Sequence, residues 1–218
     1  MLRVVSAAGL VVLAVAAVVF ASPGLGNSHD SSLRSSQILC GSERREVKQL
    51  LDDDAPNVAF GDAIDSTVKR MGLLKRPAET GATRQTKERR VYRIRATFDS
   101  IPPSESSPGV KLGYKIEEND NDIHLAVRDG SGNTMIVEFP DERCTEGAQH
   151  RWAMKVARDA LIAACTKPLK GTFNELHGSA TITGVLFFDF AHHQRGRAPN
   201  VAELHPVLRF FDSDCRRA

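Results

Sequence analysis

The sequence predicts an α+β fold, mainly β, in which five strands close a small barrel and one helix falls between the third and fourth strands. Two patterns carry this expectation. Apolar residues alternate with a period of two in five short segments, and a helical period appears once, between the third and fourth of them. An irregular N-terminal extension precedes the barrel.

The first strand spans 91–98 (VYRIRATF), where Val91, Arg93, Arg95 and Thr97 alternate with Tyr92, Ile94, Ala96 and Phe98. In the second, 122–128 (DIHLAVR), Ile123, Leu125 and Val127 take the core side, so Asp122 and His124 face the other way, outward. Asp129-Gly130-Ser131-Gly132 is a hairpin turn leading into the third strand, 134–139. Ala153, Val156, Ala157, Ala160, Leu161 and Ala164 then recur at helical spacing within 148–164, Trp152 serves as a packing anchor, and Pro168 and Gly171 stop the helix. The fourth strand, 180–188, places Ile182, Gly184, Leu186 and Phe188 on one face. The fifth, 204–210, places Leu204, Leu208 and Phe210 in the core and turns Glu203 and His205 outward, with Pro206 marking an edge or bulge. This order is that of an OB-like barrel. An SH3-like barrel and an α+β sandwich share the order and stay open as alternatives.

Ahead of the barrel, Arg3, an apolar run from Val4 to Phe20 and the small residue Ala21 before Ser22-Pro23-Gly24 make residues 1–21 a signal peptide, implying a secreted or periplasmic chain. The alternative is an uncleaved N-terminal anchor, because the run is nearly long enough to span a bilayer. Residues 22–39 form a flexible lead-in, 40–90 an N-terminal extension ending in a linker from about 76, and 91–218 the barrel domain. Formal net charge is +2, and +1 (2 − 1) without the leader and its single charged residue, Arg3. No global field therefore draws the chain to nucleic acid or membrane. The basic run Arg84, Lys87, Arg89, Arg90, Arg93, Arg95 and the acidic run Asp52, Asp53, Asp54 are expected as a solvated face. Aromatic residues make up 6 % of the chain, too few for a base-stacking surface.

Cys40, Cys144, Cys165 and Cys215 lack the paired spacing of a zinc site and imply two disulfides in an oxidising compartment. Of the three pairings, Cys144–Cys165 is disfavoured. A helix over 148–164 would be about 25 Å long, and a disulfide needs Cα atoms within about 7 Å.

Polar residues converge at the strand ends flanking the 190–202 loop. Asp122 pairs with His124, Asp189 with His192 and Glu203 with His205, while Asn200 lies on the loop. Carboxylate and imidazole are the ligand types of a divalent metal ion and the groups of acid–base chemistry near neutral pH. The competing readings are hydrogen-bonding struts that hold the loop and a metal-free binding surface. His193 is a further loop histidine, and His150 and His177 are isolated surface residues. No zinc-binding spacing, nucleophile elbow or phosphate loop is present in the sequence.

The strings ERREVKQLLDDDA (43–55), DIHLAVRDGSGNTMIVEFPDERC (122–144) and TGVLFFDFAHHQRGRAPNVAELHPVL (183–208) resemble a family of uncharacterised bacterial secreted proteins. His193 stands where that family carries glycine. The resemblance implies the pairings Cys40–Cys144 and Cys165–Cys215 but no activity. Two functions are expected from different classes. The first is a binding or structural module of the cell envelope, presenting its loop to a glycan, nucleic acid or protein. The alternative is a metal-assisted, phosphodiesterase-like hydrolase, with Arg195 or Arg197 clamping phosphate.

Overall fold

Each of the five alternating segments is a strand. The computed structural model describes residues 39–218 apart from Glu79, Ser107, His192, Ser213 and Ala218. The expected leader, nearly all of the lead-in and His192 thus lie outside the described residues. In chain order the strands are β1 (Ile64–Ser66), β2 (Val91–Thr97), β3 (Gly113–Ile116), β4 (Ile123–Arg128), β5 (Thr134–Phe139), β6 (Asn174–His177), β7 (Ser179–Phe188), β8 (Ala202–Asp212) and β9 (Arg216–Arg217). The α-helices are α1 (Arg45–Lys48), α2 (Val68–Gly72) and α3 (Arg151–Leu161).

Five of the strands close a barrel in the cyclic order β2-β4-β5-β8-β7. All neighbours are antiparallel except β5 and β8, which run parallel. The ring closes where Thr97 pairs with Arg128. Alternation fills the barrel from every wall: Ile123, Leu125 and Val127 meet Phe139, Leu186, Phe188, Leu204 and Phe210, all buried. α3, between the third and fourth barrel strands, adds Ala157 and Leu161 to that core. The helix starts three residues later than expected, at Arg151, and continues beyond Leu161 as a π-helical turn, Ile162–Thr166, so that it ends two residues later. Trp152 is no anchor, since it is 72 % exposed, and Val156 is exposed too.

In β8 the expected core set needs one correction. Gly184 pairs with Val207 but Leu186 pairs with Leu204, a register shift that breaks the two-residue period. Val207 therefore joins the barrel core, and Leu208 packs outside it with Val91, Met154, Val185 and Leu50. Gly184 permits the bulge, because a Cβ there would lie 2.8 Å from the Pro206 carbonyl oxygen. Pro206 thus stands at the bulge, the position its missing amide proton leads one to expect.

The N-terminal extension clasps the outer wall. Cys40 bonds Cys144 and Cys165 bonds Cys215, the pairing the resemblance implies. The stretch expected as a linker is packed at its second half: Glu88 is fully buried and accepts from Arg44 at 2.8 and 2.7 Å. The two charge runs are also not a solvated face throughout, because they pair with each other. Arg84, itself buried, grips Asp52 at 3.0 and 2.6 Å, and Arg89 meets Asp54 at 2.7 Å. Among the described residues no helix is long and apolar enough to cross a membrane.

Candidate functional site

Strand parity turns Asp122, His124, Glu203 and His205 away from the barrel core, yet none of them faces water. Their exposures are 1, 4, 1 and 0 %, and Asp189 is exposed by 2 %. The outward placement is corrected because residues 39–48 lie across this wall. The Cys40–Cys144 disulfide pins that segment, the Gly41 amide donates to Asn119 O at 2.9 Å, and Asn121 Nδ2 donates to Leu39 O at 3.0 Å. Gly41 has φ of +68°, and a Cβ there would come within 3.1 Å of Asp120 Cβ, so the crossing requires glycine.

Beneath this strap, acids and histidines alternate. Glu117 Oε1 lies 3.1 Å from His124 Nδ1, which is 3.1 Å from Glu138 Oε1. Glu138 Oε2 lies 3.2 Å from His205 Nδ1, and His205 Nε2 is 3.3 Å from Asp122 Oδ2. These are ion-pair distances and not aligned hydrogen bonds: both ring nitrogens of His205 and Nδ1 of His124 have no hydrogen-bond partner among the described residues. Asp122 Oδ1 accepts from the Asp141 amide at 2.8 Å. The Phe187 ring meets His205 edge-on at 5.6 Å and carries Arg44 and Lys48 above its face at 4.7 and 5.5 Å.

Crowding drives these groups apart in proton affinity. Burial alone would lower the histidines, but Glu117 and Glu138 raise His124 to about 9, and Glu138 and Asp122 raise His205 to about 9. Burial opposes ionisation of Glu138 as well, yet the two histidines hold it well below the usual carboxylate range. Burial together with Glu138 and Asp189 pushes Glu203 well up. Asp120 is raised to about 6 by burial, Asp122 and Glu138. Lys48, 3.9 Å from Asp189, is held more firmly protonated by Glu138, Asp189 and Glu203 than burial can reverse.

A cleft of about 160 Å³ opens onto this layer and is lined by Lys48, Glu117, Asp120, Glu138, Asp189 and Gln194 among others. A larger hollow of about 360 Å³, bounded by Phe60, Arg93, His150 and Arg209, includes none of the expected site residues. Among the described residues one trio, Asp122, Glu138 and His205, offers ligand atoms within 4.8 Å of one another, the spacing of a metal site.

Thus Asp122, His124, Asp189, Glu203 and His205 come together, and Asn200 does not join them. Its side chain donates to the carbonyls of Met71 and Leu74 at 2.9 and 2.8 Å, tying the loop to α2. His193 is exposed, and Arg195 lies over Phe173 at 4.7 Å. Sequence reasoning missed Lys48, Glu117, Asp120 and Glu138. For Glu138 a signal existed. The Asp129 turn sets Arg128 opposite Thr134, and counting back along that register places Glu138 opposite His124.

Comparison with protein-family models, curated proteins and solved structures finds no match. What the fold and site define is a disulfide-bonded, closed five-stranded barrel with a buried acid–histidine layer under a polar cleft.

Proposed function

We propose that the chain is an exported OB-like barrel acting as a binding module of the cell envelope or extracellular space, with its ligand site in the acidic cleft beside α1. The barrel order, the helix after the third barrel strand and the parallel β5–β8 pair support the OB-like assignment. The leader-like N-terminus and the two disulfides support export. The resemblance to secreted bacterial proteins agrees with both.

The observation that carries the reading is unbalanced charge at a solvent-reaching cleft. Glu117, Asp120, Asp122, Glu138, Asp189 and Glu203 face Lys48, Lys115, His124 and His205, so carboxyl groups outnumber bases six to four even with both imidazoles protonated. A buried polar atom left without a hydrogen bond is costly, and among the described residues neither Asp189 Oδ1, which has Lys48 at 3.9 Å, nor Glu203 Oε2 has one. A ligand supplying the missing positive charge would relieve that cost. Thermal melts of wild type and Asp189→Asn against envelope glycans, peptides and metal salts test it. A ligand that raises the wild-type melting temperature but not the variant's supports the reading, and a panel with no effect on wild type overturns it.

The trio of Asp122, Glu138 and His205 favours a second reading, metal-assisted hydrolysis. Elemental analysis of purified protein separates the two. A stoichiometric transition metal lost in His205→Ala supports the hydrolase, whereas metal-free protein that still binds in the cleft removes it.

A further inference from the structure

We infer that the cleft beside α1 takes an organic cation, a guanidinium or primary ammonium on a short stem, as carried by a basic peptide side chain or a free diamine. This rests on the binding reading above and names the ligand class of that site.

The chain already places one such group there. Lys48 projects its ammonium from α1 to 3.9 Å from Asp189 Oδ1, with the Phe187 ring 5.5 Å away. A pocket lined by carboxylates is the environment that ammonium and guanidinium groups favour. Lys48 does not satisfy it. Asp189 is 2 % exposed and lines the cleft, yet its Oδ1 accepts no hydrogen bond. Glu117, also on the cleft, already has Lys115 Nζ 2.8 Å and His124 Nδ1 3.1 Å from its Oε1, whereas Glu203 Oε2 is buried without a hydrogen-bond partner among the described residues.

A point ion fits the cleft poorly. Bare divalent ions need several ligand atoms drawn close about one centre. Among the described residues the one trio so gathered is Asp122, Glu138 and His205, where each imidazole nitrogen already faces a carboxylate. Asp120, Glu117 and Asp189 form no such trio. Carboxylates spread around a hollow are bridged instead by a cation whose N–H donors point in several directions, as the five of a guanidinium do. The volume, about 160 Å³, is below the roughly 300 Å³ at which drug-sized pockets begin. It suits a single head group and the first carbons of its stem.

The test is an NMR titration of the disulfide-bonded protein with agmatine, 1,4-diaminobutane, an arginine-containing tetrapeptide and, as an uncharged urea isostere of an alkylguanidinium, N-butylurea. Amide shifts are expected at residues 43–48, 117–120, 189 and 194 with the cations and none with N-butylurea. Asp189→Asn should weaken binding at least tenfold. Lys48→Met, which removes the internal competitor, should bind agmatine several-fold more tightly and gain more in melting temperature from it than wild type does. This arm decides the matter if Asp189→Asn does not fold. Tighter binding of the tetrapeptide than of agmatine assigns the source to peptides, and equal binding assigns it to free amines. Shifts in the cleft with magnesium, manganese or zinc but not with the organic cations would overturn this inference and leave the binding reading standing. Silence from every cation would overturn both.

Discussion

His124 and His205 stand on opposite oxygens of one carboxylate: His124 Nδ1 is 3.1 Å from Oε1 of Glu138, and His205 Nδ1 is 3.2 Å from its Oε2. The two histidines come from β4 and β8, which flank β5, so Glu138 is the joint through which three neighbouring barrel strands share charge. Glu138→Gln leaves two buried imidazolium groups facing an amide. Removing one partner of a buried ion pair costs about 3–5 kcal/mol, and that loss should appear in urea denaturation. Adding His205→Gln should recover part of it, since the stranded charge is removed as well. A single variant as stable as wild type would show that the chain of acids and histidines carries little energy.

The same relationship fixes a pH dependence. Carboxylate contacts outweigh burial and raise both histidines from 6.5 to about 9. Between those values the folded chain holds protons that the unfolded chain has released, so their contribution is complete below pH 6.5 and disappears as pH rises through 9. Glu138 works in the opposite sense. Its folded form is ionised below the ordinary carboxylate range, so its contribution is present above pH 4.5 and lost as pH falls through its lowered value. Stability should therefore decline from pH 6.5 to 9, with each histidine contributing at most about 1.4 kcal/mol for every pH step of one. His124→Gln should flatten the decline. Equal urea midpoints at pH 6.5 and 9 in wild type would exclude protonated histidines in the fold.

How much of this was legible in the sequence depends on which interaction set each feature. The barrel strands were legible because Ile123, Leu125 and Val127, or Ile182, Leu186 and Phe188, repeat with the period of the pleat. Parity also told correctly that Asp122, His124, Glu203 and His205 leave the core side. It could not tell that they are buried, because their cover comes from residues 39–48, some eighty positions before Asp122 and held there by a disulfide. The pairing of Arg84 with Asp52 was hidden for the same reason: each lies in a run of like charge, and only the folded extension brings them together. The bulge at Gly184 misled the assignment of Leu208, since alternation reports register only where the ladder is unbroken.

The strap gives a third prediction. Cys40 and Cys144 are 104 positions apart, and closing a loop of about 100 residues is worth about 4.7 kcal/mol in the chain-entropy model. In the Cys40→Ser, Cys144→Ser double variant the barrel core is intact but residues 39–48 are held by hydrogen bonds and ion pairs alone. Amide exchange should accelerate at those residues and at His124 and His205, whose cover has loosened. Exchange that rises uniformly over the barrel would mean that the disulfide supports the whole fold instead of the lid over its polar wall.

Asn200 and His205 should respond oppositely to truncation, although both bracket the end of the 190–202 loop. Asn200 spends its side chain on the loop: Nδ2 donates to Met71 O and Leu74 O, and Oδ1 accepts from the Ala202 amide at 3.1 Å. Its residue is only partly buried, so Asn200→Ala removes three hydrogen bonds, each worth about 0.5–1.5 kcal/mol, from a segment that can open locally. The expected result is faster amide exchange over residues 193–201 with a small drop in melting temperature. His205 is fully buried between two carboxylates and beside the Phe187 ring. His205→Ala opens a cavity in the wall and leaves Asp122 and Glu138 each without one counter-charge, so its effect falls on global unfolding, by about 3–5 kcal/mol. The contrast is read from one pair of experiments, a melt and an exchange map for each variant. If His205→Ala perturbed only the loop while the melting temperature held, its burial between the acids would not be contributing to the fold, and the polar layer beneath the strap would lose its structural role.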